Sequence, residues 1–174
     1  PFKPMFFEEP VPPDNLDALK EVKDRSPVAI SAGERLYTRW DYDAFFSKLP
    51  ADFIQPDVSH AGGIAELKKI AAIAESKYIP FAPHNPSGPV ANAATLQLAA
   101  CCPNFCILEI MYSDVDYRKE ITNEHLTFKD GCIEIPDKPG LGIEINEDEC
   151  LKHPYNPHTL RHYTGALTDI RPAK

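Results

Sequence analysis

The chain has 174 residues, 43% of them hydrophobic, and a net charge of -8 from 18 Lys and Arg against 26 Asp and Glu. That length suits one domain with a real core, the hydrophobic share excludes a disordered chain, and no apolar run approaches the roughly 20 residues of a membrane-spanning helix. The acidic balance excludes the basic face that nucleic acids and anionic membranes require, though not an anionic substrate, whose charge a divalent cation can offset.

The first segment, "PFKPMFFEEP", has neither an initiator Met nor a signal-peptide layout and reads as the interior of a longer protein. Short apolar runs then alternate with helix patterns. Strands are expected near residues 4–8, 28–33, 53–57, 79–83 and 105–109, uniformly apolar as strands buried on both faces are. A helix over 15–23 places Leu16, Leu19 and Val22 on one side, with Asp14 as its cap. Thr38 caps a second helix over 39–48, which stops before Pro50. A third, over 64–77, carries a stripe of Ile64, Leu67, Ile70 and Ala74. A fourth, Ala-rich over 89–102, opens on Pro89, a residue suited to a first turn. Strand alternating with helix implies parallel strands joined by helical crossovers.

After residue 110 this beat stops. The remainder holds a hairpin, "LTFKDGCIEI", turning at Asp130-Gly131, then a Pro/Gly stretch and a His/Pro-rich tail. Residues 1–110 are therefore expected to form part of a (β/α) barrel, and 111–174 a hairpin and tail packing on it. His125, His153, His158 and His162 lack paired ligand spacing and read as surface or packing residues. Trp40, Phe45 and Phe46 are assigned to packing. The cysteines, Cys101, Cys102, Cys106, Cys132 and Cys150, are odd in number and contain no CxxC pair. They read as reduced, mostly buried thiols of a cytoplasmic protein.

An ionisable residue ends every expected strand: Glu8, Glu34, Asp57, His84 and Glu109, at intervals of 26, 23, 27 and 25 residues. Each interval is about one βα unit. In a (β/α) barrel such strand ends converge on the face where the active site is built. Glu8 and Glu34 on adjacent ends can share one hard cation, for which oxygen ligands favour Mg²⁺. Ordinary ion pairs with Arg35 or Arg39 are the alternative for these two carboxylates. Asp57 and His84 end successive strands, and a carboxylate bound to one ring nitrogen fixes the tautomer and raises the basicity of the other. Glu109, after the apolar run "FCIL", can donate a hydrogen bond to a developing oxyanion if burial keeps it protonated. Among smaller signals, Arg35 can hold a substrate or brace a carboxylate, and His60 can line the barrel mouth or cap the helix after Gly62-Gly63. Asn85 and Ser87 suit either sugar hydroxyls or a turn.

The stretches "FFEEP", "SAGER", "QPDVSHAGGI", "APHNPSGP", "CILE" and "KPGLGIEI" together resemble the C-terminal barrel half of the enolase superfamily, mandelate racemase subgroup. Within it they are most similar to galactonate dehydratases and related acid-sugar dehydratases. The resemblance covers most of residues 5 to 145. It implies an α/β fold, about strands four to eight of a TIM-type (β/α)7β barrel with a C-terminal tail. The N-terminal capping domain, and an Asp that supplies the first metal ligand, would precede residue 1. It implies Glu8 and Glu34 as Mg²⁺ ligands, His84 with Asp57 as the base dyad that removes an α-proton, and Glu109 as the stabiliser of the enediolate. The implied reaction is loss of water from an aldonate, a small acid sugar, by a hydro-lyase. The chain by itself is expected to be inactive, and to form a homo-oligomer or require the missing N-terminal half. Racemase, epimerase or cycloisomerase chemistry of the same superfamily, and a non-catalytic binding or assembly module, are the other two readings left open.

Overall fold

The computed structural model describes residues 2–111, 116–123 and 126–155. Phe7 pairs with Ile30 and Ser31 with Phe53, both in parallel register, which joins β1 (Phe7–Glu8), β2 (Ile30–Ala32) and β3 (Phe53–Ile54) into one sheet in chain order. The sheet continues through single parallel bridges from Ile54 to Phe81 and from Phe81 to Phe105. All five expected strands are thus present, parallel and in order. The fourth and fifth are one-residue bridges rather than the runs expected. Pro80, Pro83 and Pro103 lie in or beside them and offer no N–H to a ladder. The bonds that remain run from the Phe81 N–H to the Asn104 carbonyl (2.8 Å) and from the Cys106 N–H to the Phe81 carbonyl (2.8 Å).

Four helices form the crossovers or follow a sheet segment: α1 (Leu16–Arg25), α2 (Arg39–Lys48), α3 (Gly63–Glu75) and α4 (Pro89–Ala100). Each packs on the next in sequence. The cap of α1 is Asn15, whose side chain accepts from the Ala18 N–H at 3.0 Å, and not Asp14. Thr38 caps α2 as expected, in a reciprocal box with Asp41, and Leu49 (φ 48°) ends the helix in the left-handed region just before Pro50. The cap position of α3 is Gly62 (φ 88°), with no side-chain hydrogen bond, so His60 does not cap this helix. Its ring turns elsewhere, as described below.

The core lies between sheet and helices. Ile30, Ile54 and Phe81 from the sheet meet Leu19, Tyr42, Phe45, Phe46, Leu67, Ile70 and Leu98 from the helices. Tyr42, Phe45 and Phe46 form an aromatic cluster with centroids 5.9 to 6.2 Å apart, each such pair contributing about 0.5–1.5 kcal/mol beyond burial. Trp40 departs from the packing expected of it. It is 68% exposed, with the Arg39 guanidinium 4.5 Å from its ring. The cysteines are free, as expected, but only Cys102 is buried, with the other four exposed.

Beyond the barrel segments, β4 (Phe128–Lys129) and β5 (Cys132–Ile133) form the expected hairpin. Asp130 (φ 51°) and Gly131 (φ 77°) both take positive φ, as the tight primed turn requires. A short helix, α5 (Glu147–Cys150), follows. His153 pairs with Glu149 at 3.1 Å and stacks on Tyr117. His125, His158 and His162 lie outside the described residues. Among the described residues, no helix is long and apolar enough to cross a membrane.

Candidate active site

The five strand-end residues gather at one end of the sheet, and His84 is their hub. Its Nδ1 lies 2.8 Å from Asp57 Oδ2. Its Nε2 lies 3.2 Å from Glu34 Oε2 and 3.9 Å from Glu109 Oε2. Burial alone would lower the His84 pKa. The Asp57 hydrogen bond and the Glu34 and Glu109 charges outweigh it and raise the ring above its ordinary value. Asp57 is buried, and burial acts to raise its pKa. The hydrogen bonds from His84 and from the Ser59 N–H (2.6 Å), with the nearby His60, reverse that and hold the carboxyl below the usual range. A ring held this way at Nδ1 presents Nε2 as a proton acceptor.

The backbone turns that bring these groups together are dictated locally. Gly33 sits at φ 134°, a conformation that favours glycine, and a Cβ there would stand 3.1 Å from Tyr42 Oη and 3.2 Å from the Gln55 nitrogen. The buried Tyr42 hydroxyl donates to the Gly33 carbonyl at 2.7 Å, so α2 fixes the backbone immediately before Glu34. Glu9 also takes a positive φ, 36°, and turns away from Glu8. It accepts from the Gly33 N–H at 3.4 Å and pairs with Arg35 at 3.2 Å. Arg35 also reaches Glu34 at 3.4 Å, the bracing geometry of its two expected uses. Arg39 pairs with Glu66 instead.

Glu8 accepts from Gln55 Nε2 at 3.0 Å. Its pKa is raised, first by burial, then by the Glu109 and Glu34 charges. A raised Glu8 carboxyl beside the Glu34 and Glu109 charges, with oxygen donors only, belongs to a set that a hard divalent cation would relieve. Glu8 and Glu34 therefore fit Mg²⁺ in donor type. Among the described residues, however, the trio whose donor atoms all lie within 4.8 Å of one another is Asp57, His60 and His84.

Glu109 is exposed, its side chain 41% accessible, so the burial expected to keep it protonated is not found, and its Oε2 accepts from the Asn85 N–H at 3.2 Å. Asn85, expected to face a sugar hydroxyl or a turn, is turned inward. It is buried, and its Nδ2 donates to Asn92 Oδ1 on α4 at 2.7 Å. Ser87 contributes its carbonyl to Arg118. His60 lies at the mouth, its Nδ1 3.1 Å from the Glu34 carbonyl and its ring 6.1 Å from that of His84. Gln55 and Tyr42 were not singled out from the sequence. The position of Gln55, two residues before Asp57, was the available signal, since residues i and i+2 of a strand share a face.

With this geometry in view, the comparisons with known proteins are decisive. The family described as enolase C-terminal domain-like matches residues 1–149. The chain belongs to that family. It is 38% identical over 182 aligned positions to a D-galactonate dehydratase of Xanthomonas campestris, covering 97% of this chain and 47% of that protein. It is 35% identical to a D-xylonate dehydratase of Haloferax volcanii, covering 89% of this chain and 38% of that one. A crystal structure of a mandelate racemase/muconate lactonizing enzyme-like protein from Rubrobacter xylanophilus superposes with a TM-score of 0.83 at 41% identity, over 88% of this chain and 40% of that one. The chain thus spans about half the length of the curated relatives it matches. As an enolase-type C-terminal domain, its five parallel segments correspond to part of a TIM-like barrel.

Proposed function

We propose that these residues are the proton-transfer part of an acid-sugar dehydratase, a hydro-lyase acting on an aldonate. The observation that carries the proposal is the His84 ring, with Nδ1 2.8 Å from Asp57 and Nε2 facing Glu34 and Glu109. The likeness to D-galactonate and D-xylonate dehydratases supports the substrate class.

Glu8 and Glu34 would hold Mg²⁺, with Gln55 orienting Glu8, and Tyr42 and Arg35 fixing Glu34. When bound, the ion supplies positive charge beside the substrate carboxylate and makes its α-proton easier to remove. His84 Nε2 takes that proton, and the electron pair moves into the carboxylate. Asp57 holds the Nδ1–H and steadies the imidazolium that results. Glu109, 3.9 Å from Nε2, accepts from the Asn85 N–H as a carboxylate; to serve the growing oxyanion it must enter the step protonated, and it then donates to the carboxylate oxygen. Loss of the 3-hydroxyl as water and ketonisation then give a 2-keto-3-deoxy acid.

The test incubates the longest polypeptide carrying these 174 residues with galactonate and xylonate, Mg²⁺ and deuterated buffer, and follows water loss and deuterium incorporation by NMR. The expected outcome is dehydration that His84→Asn abolishes. Undiminished dehydration by that variant would remove His84 from the reaction. The 174-residue chain by itself is expected to show little or no turnover.

A further inference from the structure

We propose that Asp57, His60 and His84 form a second cation site, distinct in chemistry from the Glu8–Glu34 pair, that takes an imidazole-preferring divalent transition ion such as Zn²⁺ or Co²⁺. Three observations carry it. The donor atoms of these three side chains already lie within 4.8 Å of one another. Zinc bound at about 2.0–2.1 Å would draw them to about 3.3 Å apart in a tetrahedron, and the exposed His60 is the ring able to make that movement. The second observation is the orientation of His60. Its Nδ1 lies 3.1 Å from the Glu34 carbonyl, which can only accept, so Nδ1 carries the proton and Nε2 carries the lone pair. A ring nitrogen donating to a backbone carbonyl while the other takes the ion is how metal-binding histidines are oriented. The third is the spacing. Asp57 and His60 stand three residues apart in one turn, tied by the His60 N–H to the Asp57 carbonyl at 3.2 Å. His84 approaches from the next segment, 2.8 Å from Asp57.

The donor set separates the two sites. Two imidazoles and one carboxylate favour zinc or cobalt, whereas carboxylates alone favour Mg²⁺. At the second site the ion replaces the proton shared by Asp57 Oδ2 and His84 Nδ1, and that proton leaves to solvent. Three protein ligands leave a fourth position for water. If His84 and Asp57 act as proposed above, an ion here stops the reaction by taking the dyad's own atoms. That consequence rests on the proposed function, but the binding does not.

The experiment titrates Co²⁺ into the 174-residue chain under excess Mg²⁺ and reads visible ligand-field absorbance and stoichiometry. The expected result is one Co²⁺ per chain with tetrahedral absorbance, displaced by Zn²⁺ and insensitive to further Mg²⁺. His60→Ala is expected to weaken it by more than about tenfold, the loss that removing even an orienting outer partner produces. Glu8→Gln is expected to leave it unchanged, with circular dichroism verifying that both variants fold. Absent saturable binding, equal affinity in His60→Ala, or loss in Glu8→Gln with retention in His60→Ala would each overturn the site. Zn²⁺ inhibition of dehydration in the longer polypeptide is a separate reading. Cobalt binding by the 174-residue chain with no dehydration by the longer polypeptide in Mg²⁺ would leave the site standing and sink the proposed function instead.

Discussion

Asp57 Oδ2 lies 2.8 Å from His84 Nδ1, two residues 27 positions apart in sequence and one βα unit apart in the fold. Asp57 is itself held by the Ser59 N–H, so the carboxylate cannot rotate away without breaking a second bond. Asp57→Asn keeps the shape but offers an amide that can present either end, so the ring loses its single tautomer. The expected outcome is a fall of about 10²-fold or more in α-proton removal, the scale of general-base catalysis. Nitrogen-15 NMR of the imidazole is the accompanying check. Wild type is expected to show Nδ1–H, and Asp57→Asn a mixture.

Tyr42 reaches the site through the Gly33 carbonyl, the group immediately before Glu34. Tyr42→Phe keeps the aromatic cluster but removes one of the two hydrogen bonds to that carbonyl, which still accepts from the Leu36 N–H at 3.0 Å, at a cost of about 0.5–1.5 kcal/mol. Urea unfolding is expected to show that loss. Calorimetry is expected to show weaker Mg²⁺ binding in Tyr42→Phe, a change that a core mutation of equal cost away from the site, such as Ile70→Val, would not produce. Equal Mg²⁺ binding in the two variants would reduce Tyr42 to a packing residue.

Much of this arrangement was legible because it repeats. Five ionisable residues spaced by one βα unit mark five strand ends whatever the exact strand lengths, and Thr38-x-x-Asp41 marks a helix start by purely local chemistry. The rest depends on approach in space. The hydrogen bond from Gln55 to Glu8 spans 47 positions, and no local pattern encodes it. Asn85 reads as a ligand or a turn because its motif is polar, yet the arrival of Asn92 from α4 turns it inward. His60 reads as a helix cap because of the glycines that follow it, but Gly62 (φ 88°) takes the cap position with no side-chain hydrogen bond, and the His60 ring meets the Glu34 carbonyl instead. Trp40 was misplaced because its neighbour Tyr42 takes the inward direction of α2, two positions on, leaving Trp40 on the outer face.

The Thr38–Asp41 box gives a pH test. The Thr38 hydroxyl first, with the Thr38 and Tyr37 N–H groups, holds the Asp41 carboxyl below its ordinary value against the opposing effect of burial. A carboxyl whose pKa is depressed by folding contributes stability above its unfolded value, near pH 4, and loses that contribution as pH falls through the folded value. Asp41→Asn is therefore expected to lower the urea midpoint at pH 7 and to approach wild type as the pH falls through the depressed folded value. Thr38→Ala removes the other half of the box and is expected to cost about 0.5–2 kcal/mol at pH 7. A pH-independent gap between Asp41→Asn and wild type would contradict this account.

The last prediction concerns the sheet edges. Among the described residues, no strand pairs with the outer edge of β1 or with the outer edge at Phe105. Near the first edge, Phe2, Met5 and Phe7 are 91%, 48% and 55% exposed, and near the second Ile107 is 47% exposed. An unpaired parallel edge flanked by exposed apolar side chains is a template for association. The 174-residue chain is expected to self-associate with rising concentration, seen as a shift in sedimentation velocity. Phe7→Lys places a charge on the β1 edge and is expected to return the chain toward monomer, because burying a lysine against a second copy costs more than the apolar contact returns. Trp40→Lys, on the exposed outer face of α2 and off both edges, is the control and is expected to leave association unchanged. A chain that stays monomeric at high concentration, or a Trp40→Lys variant that dissociates as readily as Phe7→Lys, would move the association away from the sheet edge.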